Sequence, residues 1–74
     1  MSASQTALDA SAAQLRDFIY QALAPVEADA AAARFCLSND DDPGARYHLK
    51  RVVDCVKAAA STFRELEALI GRGG

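Results

Sequence analysis

His48, Cys36 and Cys55 are the side chains of this sequence best suited to proton transfer, nucleophilic attack or zinc binding. Their spacing serves none of these. Cys55 follows His48 by seven residues, about 10 Å along a helix, which is beyond the reach of a thiolate–imidazole pair. Neither belongs to a cluster with zinc-ligand spacing, and both read as flanking positions at the edge of a helical bundle. A hairpin turning near Asp40 would hold Cys36 and Cys55 roughly 15 Å apart, whereas a disulfide tolerates Cα separations of only about 7 Å. Two free thiols are expected, and these suit a reducing compartment.

Asp40, Asp41, Asp42 and Gly44 suggest a calcium loop, but the pattern fails on inspection. With Gly44 at the sixth position of such a loop, Pro43 falls at a ligand position and Lys50 stands where the closing carboxylate belongs. Helix capping explains the aspartates better: Asp42 reads as the cap, Pro43 as the first helical residue, and all three acids lie by the positive end of the second helix. No glycine-rich phosphate loop and no nucleophile elbow occurs. The sequence therefore predicts no catalytic, cofactor-binding or metal-binding residue, and a protein that is not an enzyme.

Charge is distributed unevenly. Acids outnumber bases up to Asp42, and bases outnumber acids from Pro43 onward. Lys50, Lys57 and Arg64 recur every seven residues, so they share one outer face of the second helix. Such a row could hold phosphates or an acidic protein surface, or stand in solvent with local ion pairs such as Lys50 with Asp54. Phe35 and Tyr47 fall at one level near the loop, with Arg46 and Arg51 close in sequence, and aromatic–arginine groups are typical interface anchors. The candidate partner-binding set is thus Phe35, Arg46, Tyr47, Lys50, Arg51, Lys57 and Arg64.

Two amphipathic helices must position these residues. In the second, Ala45, Leu49, Val52, Val56, Ala59, Phe63, Leu66 and Ile70 alternate steps of four and three, the seam of a helix packed lengthwise on another. In the first, Leu8, Ala12, Leu15, Ile19, Ala22 and Val26 do the same. Pro25 interrupts that seam, and a kink is expected there rather than a break, since no turn residue adjoins it. Asp29 then falls where a core residue belongs, so the buried face should shift toward Ala30, Ala33 and Leu37. The expected layout is a single domain over residues 1–74: a helix over about 5–37, a loop over about 38–43, a helix over about 44–70 ended by Gly71, and a frayed tail over about 71–74.

Seventy-four residues with a net charge of −2 make one small soluble domain, too rich in apolar residues for disorder. The amino terminus lacks a secretory signal pattern, and no window is apolar enough to span a membrane, so a cytoplasmic location is expected. Two helices cannot cover stripes widened by Phe18, Leu23, Val53 and Leu69. These four are the expected dimer interface, and the fold class follows: an all-α antiparallel helical hairpin associating as a four-helix bundle, with a three-helix monomer as the alternative. The function expected is a protein–protein interaction module, a small bacterial or phage adaptor, inhibitor or chaperone-like regulator acting as a homodimer. Nucleic-acid binding, RNA above all, through the basic row is the second reading. A leader or precursor segment ending in Gly-Gly is the third.

Overall fold

A computed structural model describes residues 3–73. The chain forms two α-helices, α1 over Ala3–Ser38 and α2 over Asp42–Gly73, folded antiparallel into a rod whose Cα extents are 57 × 15 × 12 Å. The all-α hairpin is as the sequence predicts. Helix α1 passes through Pro25 as one element, so the proline does not divide the chain into three helices. The missing proline amide costs one backbone hydrogen bond, and flanking helical turns on both sides hold the axis together.

The seam of α1 keeps its phase beyond Pro25. Leu8, Ala12, Leu15, Ile19, Ala22, Val26, Asp29, Ala33 and Cys36 are all buried or half-buried. The expected shift is therefore corrected: Ala33 is buried, but Ala30 and Leu37 are exposed and Asp29 itself occupies the seam. On α2 the residues turned toward α1 are Ala45, His48, Val52, Cys55, Ala59, Thr62, Leu66 and Leu69. Leu49, Val56, Phe63 and Ile70, expected in that seam, are instead 43–50% exposed. A buried carboxylate explains the rotation. Were Leu49 and Val56 turned inward, Asp29 would face aliphatic side chains with its charge unpaired, a costly arrangement.

The core that results is thin. Among the described residues its buried apolar members are Ala12, Ala33, Ala45, Ala59 and Leu66, so a single large side chain is buried, and even that one keeps 4% exposure. The alanines let the two backbones approach closely but bury little area each.

The connection is shorter than expected. The amide of Asp41 donates to the carbonyl of Cys36 (2.8 Å) and that of Asp40 to Leu37 (3.2 Å), the paired bonds of a Schellman ending. Asp40 supplies the left-handed residue, with φ of 56°, in the place glycine usually takes. The helix cap is Asp41, not Asp42: its carboxylate accepts from the Gly44 amide at 3.0 Å, and its carbonyl accepts the first helical bond from Ala45 at 3.0 Å. One residue thus ends α1 and starts α2. A side chain on Gly44 would strike the Asp41 carboxylate and come within 2.8 Å of the Cys36 sulfur, so only glycine fits the closed turn. At the far end Gly71 does not stop α2, which continues to Gly73 without any glycine turning left-handed. Glycine weakens a helix by about 1 kcal/mol relative to alanine without ending it.

Candidate functional site

The polar centre of the molecule is Asp29. It lies in the α1 seam at 6% exposure, the one buried charged residue among those described. Two α2 side chains one turn apart converge on it. His48 Nδ1 is 2.8 Å from Oδ1, and Arg51 Nε donates to Oδ1 at 3.2 Å and to Oδ2 at 3.1 Å. Positions 48 and 51 are three apart, so they are neighbours on one helical face. The Tyr47 ring packs edge-on against the His48 ring, with centroids 5.0 Å apart, and carries the Arg51 guanidinium over its face at 5.7 Å.

The hydrogen bond from His48 leads in holding the Asp29 carboxyl below the usual carboxylate range, and burial works against it. Arg51 adds a bond and its charge to the same end. Arg51 in turn is pushed up, chiefly by its bond to Asp29. Asp29 is therefore ionised at neutral pH and can only accept, so His48 Nδ1 carries the proton of their hydrogen bond. An aspartate-oriented imidazole is a component of general-base sites. Here no hydroxyl or thiol is hydrogen-bonded to it, and among the described residues no three of His, Cys, Asp and Glu cluster as a metal site. What this constellation does in the hairpin is clamp α1 to α2 at a fixed register.

Sequence reasoning missed this centre. His48 and Cys55 belong to the inter-helix seam, not to the bundle edge. Asp29 was the available signal: a charge at a core position demands partners of opposite sign at the same level, and His48 and Arg51 were there to supply them.

The expected partner-binding residues are not brought together. Tyr47 and Arg51 serve the Asp29 clamp. Lys50, Lys57 and Arg64 form the expected row on the outer side of α2, and among the described residues none of them makes an ion pair, the Lys50–Asp54 pair included. Arg46 joins Lys50 beside an open groove of about 450 Å³ at the loop end, floored by Leu37, Ala45, Leu49 and Val53. Phe35 is 70% exposed on the outward side of α1. At the same end, burial and the charge and hydrogen bond of Asp41 push the Cys36 thiol up. Both cysteines are free and half-buried.

The residues expected to widen the stripes divide three ways. Leu23 and Val53, 42% and 48% exposed, lie on the face that also carries Leu37, Leu49, Val56, Phe63 and Ile70. Phe18 stands on the opposite flank of α1, and Leu69 is half-buried in the seam. One side of the hairpin is thus lined by aliphatic and aromatic residues for most of its length. No helix of the described residues is long and apolar enough to cross a membrane.

Fold and site together define a two-helix hairpin with an ionic clamp inside and an apolar face outside. The chain matches no known family model, no curated protein and no solved structure.

Proposed function

We propose that this chain is a non-enzymatic protein–protein interaction module that works as a homodimer, two hairpins closing into a four-helix bundle. The observation that carries the reading is the continuous face of Leu23, Leu37, Leu49, Val53, Val56, Phe63 and Ile70, each 42–55% exposed in the single hairpin. Soluble monomers rarely leave such a face to water, and a core of four alanines and one leucine gives the hairpin little stability of its own. Pairing buries the face and supplies the missing core. A bend of α1 at Pro25 would curve the rod around that shared core.

The dimer then presents its outer surfaces, Phe35 on α1 and the row Lys50, Lys57 and Arg64 on α2, to a further protein in the cytoplasm. Light scattering at micromolar concentration tests the pairing, with twice the chain mass expected; a folded single copy overturns it. The same basic row supports the second reading, RNA or DNA binding, because its side chains have no acidic partners among the described residues. Affinity for nucleic acid that falls log-linearly with added salt would favour that reading, whereas an apolar protein interface changes little.

A further inference from the structure

We propose that α2 has two packing phases against α1, and that the charge of Asp29 selects the phase that leaves the more apolar set of side chains outside. The buried residues Ala45, Ala59 and Leu66 and the half-buried Val52 recur every seven positions and form a common axle. Two sets of neighbours can complete a seam with them. His48, Cys55, Thr62 and Leu69, three positions on from each, face α1 in the structure. Leu49, Val56, Phe63 and Ile70, four positions on, stand exposed beside them. Successive residues lie about 100° apart around a helix. Exchanging one set for the other with the axle kept inside therefore turns α2 by only about 50°.

The second phase is the more apolar one. It puts two aliphatic side chains and a phenyl ring where the seam now holds an imidazole, a thiol and a hydroxyl, a change that hydrophobic burial favours. Two features oppose it. Small side chains suit the close approach of the backbones at the α1 alanines, and larger ones would hold the helices further apart. The second opposition is the clamp. Leu49 and Arg51 are about 200° apart around α2, so drawing Leu49 inward swings Arg51 off the Asp29 carboxylate, which would be left buried with its charge unmet.

Only the clamp can be removed by a single substitution. Asp29→Leu adds an apolar member to the α1 seam. In the observed phase it would leave the donors of His48 and Arg51 facing a hydrocarbon side chain, whereas the turn carries both toward solvent. Asp29 is in this sense a specificity residue of the fold: it decides which apolar set the hairpin keeps and which it shows to a partner. The proposal does not rest on what covers the exposed set, because the phase belongs to one chain.

Disulfide bridges within that chain read the phase. Val26 and Cys55 stand two heptads inward from Ala12 and Leu69, which line one groove at the far end, so positions 26 and 55 face each other in the observed phase. Position 56 faces position 26 after the turn. One chain carries Val26→Cys and Cys36→Ala with the natural Cys55; another carries Val26→Cys, Val56→Cys, Cys36→Ala and Cys55→Ala. Each is made with Asp29 and with Asp29→Leu and equilibrated with glutathione, and bridges between chains are set apart by mass. With Asp29 the bridge between 26 and 55 should be favoured about tenfold over that between 26 and 56, and Asp29→Leu should reverse the order. Circular dichroism should show the helix retained, because the second phase is a folded state. Loss of helix on Asp29→Leu overturns the proposal, and so does a helical variant in which the order is not reversed.

Discussion

Asp29 of α1 and His48 of α2, nineteen positions apart in the chain, are joined across the hairpin by a 2.8 Å contact in which one carboxylate oxygen also serves Arg51. This relationship sets which side of α2 faces α1, because no other described residue carries a buried charge. Breaking it from one side should harm the fold more than removing it. His48→Ala and Arg51→Ala should each lower the thermal midpoint, and Asp29→Ala should do so as well by leaving a void and two orphaned donors. Asp29→Leu combined with His48→Leu should recover most of the loss, since apolar residues of similar volume often replace buried ion pairs well. Thermal unfolding followed at 222 nm, a wavelength that reports helix, checks the order.

The same carboxylate gives the hairpin an acid limit. Its folded pKa lies below the ordinary value of 3.8, so the folded state binds the proton less readily than the unfolded one. Its contribution to stability is complete above that ordinary value and disappears as the pH falls through the lower, folded value. Urea midpoints measured between pH 6 and pH 2 should drop in the natural protein below about pH 4, and drop less in the variant with leucine at positions 29 and 48.

Gly44 is held by the turn rather than by helix preference. Alanine there favours helix but collides with the Asp41 carboxylate and the Cys36 sulfur. Displacing the cap costs about 1 kcal/mol, as much as alanine could return. With the steric clash added, Gly44→Ala should be less stable than the natural chain. Joining it to Cys36→Ala, which clears the sulfur, should recover part of the loss. Denaturant unfolding of the two single variants and the double forms the necessary cycle.

The turn carries a second prediction, of opposite sign. Asp40 holds a left-handed φ of 56°, which glycine adopts without a Cβ penalty. Asp40→Gly should stabilise the hairpin by about 0.5 kcal/mol, once the extra freedom of glycine in the unfolded chain is counted. Asp41→Ala, losing the cap, should cost about 1 kcal/mol, and Asp41→Asn should cost little. A result in which Asp40→Gly and Asp41→Ala shift the urea midpoint the same way would contradict this assignment of roles.

The hairpin itself was legible because periodicity is a property of sequence. The α1 seam from Leu8 to Val26 and the turn near Asp40 needed no coordinates. The face of α2 did not follow in the same way. Its apolar residues cover a stripe wide enough for two alternative seams, one through Leu49, Val56 and Phe63 and one through His48, Cys55 and Thr62. Hydrophobicity alone selects the first. The structure takes the second, since the charge of Asp29 must be met and the alanines of α1 draw close to small side chains. Capping was misassigned by one residue for a related reason: Asp41 and Asp42 are chemically alike, and only the hydrogen bond to Gly44 separates them.

That division between seam and outer face predicts two kinds of apolar substitution. Leu66 is 4% exposed and is, among the described residues, the one large apolar side chain buried between the helices, whereas Phe63, a single turn away, is 49% exposed on the apolar face. Truncating a buried leucine removes roughly 2–5 kcal/mol, a large share of what so small a domain can hold. Leu66→Ala should therefore unfold much of the population at every protein concentration. Phe63→Ala removes little that the single hairpin uses. Its effect should appear as a weaker dimer and a thermal midpoint that depends more steeply on dilution, because loss of an interface acts through mass action. Circular dichroism across a hundredfold range of concentration separates the two. If Phe63→Ala unfolds the chain to the same degree at all concentrations, its ring belongs to the fold of one copy and not to the surface between two.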